Sequence, residues 1–171
     1  MLQLSESLLN QPVLSLRANA PVAKTLQPII NPDNLKIEGF YVQANRDRRQ
    51  LILLDQDIRD LIAEGFVIND HDVLVEPADL VRLQAILKIN FTPIGKQVVT
   101  ASKHKIGKVV DFATEIDSMF IQKIYVTQSF IKSFSGGNLG IDRTQIIEIT
   151  DTTIVVNDLH GTVPIGAKAI A

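Results

Sequence analysis

The chain has three histidines, at positions 71, 104 and 160. His71 stands in "NDHD" and His160 in "NDLHG", beside Asp70, Asp72 and Asp158. Imidazole next to carboxylate is a donor set that a divalent metal accepts. The spacing matches no helical pair of ligands, and the two loops lie far apart in the chain. Solvated loop residues are the expectation, and no metal is assigned. Asp55, Asp57 and Asp60 add carboxylates, but general acid–base work needs one of them in a pocket that shifts its pKa. A serine nucleophile would sit on a tight turn of the G-x-S-x-G kind, and the sequence contains none. The glycines of "SFSGGN" and the pair Gly95-Lys96 lack the ending that cradles a phosphate. The expectation is therefore no catalytic residue, no cofactor and no enzymatic activity.

Two surface features carry more chemistry. "ANRDRRQ", residues 44–50, places Arg46, Arg48 and Arg49 in one turn. The planar fork of a guanidinium suits carboxylates and phosphates, so a protein or RNA contact is one reading and a solvated turn the other. "TQSFIKSFSGGN", residues 127–138, carries Phe130, Ile131 and Phe134, a large apolar load for a loop. Exposed, these three would mark a protein interface; folded back, they would cover a helix or a barrel mouth.

The elements that hold these turns follow from a repeat. Residues 21–42 align without a gap on 105–126, with Lys24/Lys108, Asp33/Asp117, Ile37/Ile121, Tyr41/Tyr125 and Val42/Val126 identical. Upstream, Val13 and Ser15 match Val98 and Thr100. Downstream, Ile58, Val67, Asn69 and Asp70 recur at Ile146, Val155, Asn157 and Asp158. Three blocks kept in order are the mark of a duplicated domain. Each copy reads as short apolar runs broken by turn signals such as "NPDN", an all-β pattern, and a small closed barrel would leave no free sheet edge. Between the copies, "EPADLVRLQAILK" puts Leu80, Leu83 and Leu87 on one face, and Pro77 suits a first helical position. The expected organisation is a first barrel over 1–74, a connecting helix within 75–90, a second barrel over 91–160 and a tail over 161–171. The barrels are expected to pack as an internal pseudo-dimer, or the chain to form a homodimer.

At 171 residues the chain has room for one medium domain or two small ones. It has no cysteine, which excludes disulfides and thiolate chemistry and fits a reducing compartment. Its uncharged runs are too short for a membrane span, and its first residues lack the pattern of a secretory signal, so a soluble cytoplasmic protein is expected. The net charge of −2 argues against a general nucleic-acid binder, although the balance shifts from −4 over residues 1–76 to +2 over 77–171.

The order "LLNQPVLS…PVAKTLQPIINPDNLKIEGFYV…GFVIND", echoed as "GKQVVTASKHKIGKVVDF…IDSMFIQKIYV…TIVVND", resembles a tandem PRC-barrel protein. The likeness runs from about Leu4 to Asp158, and the first copy departs from it where Ala23 replaces the usual glycine. PRC-barrels occur in the photosynthetic reaction-centre H subunit, in a ribosome maturation factor and in many small prokaryotic proteins. The resemblance implies a mainly β, two-barrel fold that serves as a docking module. A non-enzymatic protein-interaction adaptor is thus the leading expectation, with Arg46, Arg48, Arg49, Phe130, Ile131 and Phe134 as partner-binding residues. A ribosome- or RNA-associated maturation factor is the alternative.

Overall fold

The computed structural model describes residues 1–128 and 138–158. They hold thirteen strands, several 3-10 turns and one α-helix of six residues, so the chain is mainly β. No helix among them is long and apolar enough to cross a membrane. The chain divides into two compact units, residues 1–91 with 114–121, and residues 92–113 with the described residues from 122 onward.

In the first unit, β2 (Pro12–Ser15) pairs in parallel with β7 (Gly65–Ile68) and antiparallel with β3 (Ala20–Asn31). β3 pairs with β4 (Lys36–Ala44), β4 with β5 (Gln50–Leu54), and β7 with β6 (Ile58–Ile62), all antiparallel. β1 (Leu2–Leu4) lies at the start of the chain, where the Met1 carbonyl accepts from the Ile116 amide. Along β4, Ile37, Phe40 and Val42 are fully buried. Phe40 meets Phe66 with ring centroids 5.0 Å apart and planes tilted by 46°, a geometry that adds to area burial. Each such side chain contributes roughly 1.5–3 kcal/mol by leaving water.

The second unit repeats the pattern. β8 (Gln97–Thr100) is parallel to β13 (Thr153–Val156) and antiparallel to β9 (Lys105–Glu115). β10 (Phe120–Gln128) follows β9 and pairs with β11 (Leu139–Asp142), while β12 (Ile146–Ile149) pairs with β13. Val98, Val109, Phe112, Ile124, Ile141 and Ile154 form its interior.

The expected closed barrels are not seen. The hydrogen-bonded path in the first unit ends on β5 at one side and β6 at the other, and in the second on β11 and β12. In each case a single 3-10 turn, Asp55–Asp57 or Arg143–Gln145, joins the end strands without laying them side by side. In the second unit Asp142 closes a capping box with Gln145, which fixes that turn. The connecting helix is also shorter than expected. Pro77–Asp79 and Val81–Leu83 are 3-10 turns separated by Leu80 at φ −90°, ψ 74°, and the α-helix α1 covers only Gln84–Ile89. The Gln84 side-chain amide donates to the carbonyls of Pro77 and Leu80, each of which also accepts from the backbone amide three residues on. Leu80, Leu83 and Leu87 are half-buried.

The turn "NPDN" works through its side chains. Asn31 Oδ1 accepts from the Asp33 amide and Asn34 Oδ1 from the Lys36 amide, and Leu35 takes φ 59° with its amide on the Asn31 carbonyl. Its counterpart Met119 has φ 58° and donates to the Glu115 carbonyl at the same 2.8 Å. A left-handed Leu or Met costs about 1–3 kcal/mol and persists only where packing demands it; both side chains are buried.

Thr114 lies fully buried, at the position equivalent to Ile30, and its hydroxyl has no hydrogen-bond partner among the described residues. Such a group forfeits about 1–3 kcal/mol of solvation. Thr114→Val should therefore raise the unfolding free energy by about 1 kcal/mol, read as a higher urea midpoint at unchanged slope. An unchanged or lower midpoint would show that the hydroxyl is satisfied.

Candidate functional site

The turn between β4 and β5 is rigid. The Arg48 amide donates to the Ala44 carbonyl at 3.0 Å, and the Ala44 amide to the Arg49 carbonyl at 2.9 Å. Arg48 takes φ 58° at the bend. Asn45 ties the tip to the start of β3, donating through its amide to Val22 and through its side chain to Pro21. Asp47 organises the rest. Its Oδ1 accepts from the Arg49 amide at 3.1 Å and its Oδ2 from Arg49 Nε at 2.6 Å.

The three arginines thereby separate into two kinds. Arg49 is held between Asp47 and Glu76, whose Oε1 lies 2.6 Å from Nη1. The Arg49 backbone amide, then its guanidinium, hold the Asp47 carboxyl below its ordinary value, and Asp47 in turn raises Arg49. Arg46 and Arg48 are exposed, and their guanidinium groups form no hydrogen bond or ion pair with any described residue. They keep their full donor capacity for a carboxylate or phosphate. The sequence shows Asp47 but not its partner: the Glu76 contact spans 27 residues and has no local signal. Phe130, Ile131 and Phe134 lie outside the described residues, as does His160.

A second constellation recurs in both units. Ser15 Oγ donates to Asp70 Oδ1 at 3.1 Å, while the His71 amide reaches the same oxygen at 2.7 Å and its Nδ1 lies 3.0 Å away. Arg17 stands 3.4 Å from Asp70 Oδ2. In the other unit Ser102 Oγ donates to Asp158, with Thr100 Oγ1 3.2 Å and His104 Nδ1 3.4 Å from the serine oxygen. The groups are those of a hydrolase relay, but the order differs. A relay puts imidazole between hydroxyl and carboxylate, whereas here the serine hydroxyl donates its hydrogen bond directly to the Asp158 carboxylate. Chemically the arrangement is a latch, tying the turn between β2 and β3, or between β8 and β9, to the residues just past the last strand of the unit, β7 or β13. The Asn-Asp pairs at 69–70 and 157–158 were the signal for it.

The remaining candidates are dispersed. Asp55 pairs with Lys36 Nζ at 2.6 Å, and Asp60 accepts from the Leu61 amide at 2.8 Å. Asp57 is raised above its ordinary value by partial burial, with Arg59 opposing and Asp55 adding. Among the described residues no three His, Asp or Glu side chains converge as metal ligands. A recess in the first unit, lined by Pro28, Ile30, Tyr41, Ile86, Leu87 and Phe91, encloses about 10 Å³, about what one water molecule requires, and has no room for a small-molecule ligand. No protein-family model matches this chain, and no curated protein matches it.

The latches predict an acid limb of stability. The His71 amide, assisted by Ser15, holds the Asp70 carboxyl below its ordinary value, and the Ser102 hydroxyl does the same for Asp158. A carboxylate depressed in the folded state stabilises above its unfolded pKa of about 3.9 and loses that contribution as pH falls through the folded value. The double variant Asp70→Asn/Asp158→Asn should have a lower melting temperature than the parent near neutral pH and a shallower decline below about pH 4. Parallel curves would show that the latches carry no linkage.

Proposed function

We propose that this chain is a non-enzymatic protein-interaction module built from two duplicated, PRC-barrel-like units, and that the β4–β5 tip is one of its docking surfaces. The tandem reading is supported by the matching strand order of the units, by the left-handed residues Leu35 and Met119, and by the repeated aspartate latch. The observation that carries the functional reading is Arg46 and Arg48, whose guanidinium groups have no partner among the described residues, on a turn whose shape Asp47 and Arg49 fix in advance. Preorganised groups of this kind bind without first losing their own freedom. The hairpin over 127–138, with Phe130, Ile131 and Phe134, is the second surface on sequence grounds.

The partner best suited to the tip is an acidic protein segment. RNA requires a broader basic surface, whereas here Asp47 and Glu76 already offset part of the arginine charge and the chain carries −2 overall. Affinity capture from the producing cell should compare the parent with Arg46→Ala/Arg48→Ala and Phe130→Ala/Ile131→Ala/Phe134→Ala, each with and without ribonuclease. The double arginine change should weaken retention of a specific protein at least tenfold, a cost of about 1.4 kcal/mol, and ribonuclease should leave it in place. Equal retention by parent and both variants removes the adaptor reading. Loss on ribonuclease treatment favours the ribosome- or RNA-associated alternative.

A further inference from the structure

The segment 31–37 of the first unit is completed by the tip at 115–121, which the later half of the chain supplies to that same unit. Lys36 and Phe120 stand opposite each other. On one side the Ile37 amide donates to the Met119 carbonyl at 2.8 Å; on the other the Ile121 amide donates to the Leu35 carbonyl at 2.9 Å. Leu35 and Met119 are counterparts in the repeat, as are Ile37 and Ile121, so the contact has local twofold symmetry about the Lys36–Phe120 pair. All four flanking side chains are buried, Ile37 and Ile121 completely. The symmetry is that of an isologous contact between two copies of one surface, written here into one chain.

We infer that this edge is a docking surface for a second copy of the chain, through reciprocal exchange: the 115–121 tip of one copy completes the first unit of the other. The argument is energetic. Every hydrogen bond and buried contact that the tip makes in the first unit is the same whichever copy supplies it. Exchange therefore forfeits no contact there, and effective concentration decides between the two forms. Residues 1–91 are joined to the rest by one covalent connection, at Phe91–Thr92. The simpler self-contact, in which two 35–37 segments pair, is disfavoured because Lys36 would face Lys36 of the other copy, a like-charge cross-strand pair. In the Lys36–Phe120 pairing that repulsion is absent, and Lys36 instead reaches Asp55 at 2.6 Å.

The chain has no cysteine, which makes the pairing readable by disulfides. Non-hydrogen-bonded antiparallel pairs hold their Cα atoms about 4.5 Å apart, inside the range of about 4.4–6.8 Å that a disulfide spans. Full-length Lys36→Cys and Phe120→Cys chains should be unfolded, mixed and refolded together under mild oxidation. The concentration should rise toward the roughly millimolar effective concentration of a tethered segment. The expected product is a covalent dimer containing one of each chain, its share rising with concentration. The double variant in dilute solution should close the same bond within one chain. If the double variant closes its bond but the mixture yields no mixed dimer, exchange does not occur. If the covalent dimers join Lys36→Cys to itself, the edge pairs with its own twin and the exchange is overturned. The unsubstituted chain supplies an independent reading: refolded at the same concentration, it should contain a dimer that survives dilution and reverts only on unfolding. Monomer alone overturns the inference whatever the cysteine variants do.

Discussion

Two backbone hydrogen bonds, Ile37 to Met119 and Ile121 to Leu35, set the terms for the first unit. They make its interior depend on residues 114–121, more than twenty positions beyond its own continuous stretch. The dependence explains why Leu35 and Met119 accept a left-handed backbone that would cost either residue about 1–3 kcal/mol in isolation. The twist turns both side chains inward at the point where the two tips meet, and burial offsets the strain. Thr114 shows the other side of the arrangement, for a hydroxyl without a partner among the described residues occupies a core position whose counterpart in the alignment of 21–42 on 105–126 is Ile30.

The same economy of partners decides which surface groups are free to act. Arg46, Arg48 and Arg49 are indistinguishable in the sequence, since all three belong to one polar turn. The fold distinguishes them by supplying two carboxylates within reach of one. Arg49 becomes part of the scaffold, and its neighbours are left projecting from a turn that does not need them. In the latches the division runs differently. Asp70 and Asp158 each gather donors from a distant turn, so the serine, histidine and carboxylate that could suggest hydrolysis are consumed by structure.

Much of the β-architecture was legible because apolar alternation reports one buried face. The aligned blocks 21–42 and 105–126 fall on β3 with β4 and on β9 with β10. β6 and β12 lack such a pattern for a physical reason. Each pairs on one side only and is half-buried at best, so Arg59 and Asp60, or Glu148, break the pattern that a strand covered on one face would show. The connecting helix was overread because Leu80, Leu83 and Leu87 satisfy a helical period, while Leu80 itself sits at a backbone angle that interrupts the helix. Periodicity records which side chains seek cover, and the cover here is partial enough that a broken helix serves. Closure was overread for a related reason: short strands and turns in regular succession describe an open path as well as a ring.

The glycine that distinguishes the copies connects fold to function. Gly107 lies so close to Thr127 that a Cβ there would fall on the threonine carbonyl oxygen, and the Thr127 hydroxyl adds a hydrogen bond to the Lys108 carbonyl at 3.3 Å. Its counterpart Ala23 carries the Cβ, is buried, and stands opposite Ala44, while Asn45 continues the pairing by donating to Val22. The glycine-to-alanine difference therefore falls where the first hairpin gives way to the arginine turn and the second to the 127–138 segment. The strands themselves are held by burial in both units. At the ends of the hairpins one methyl group alters how closely the strands approach, and it is there that the proposed contact surfaces lie.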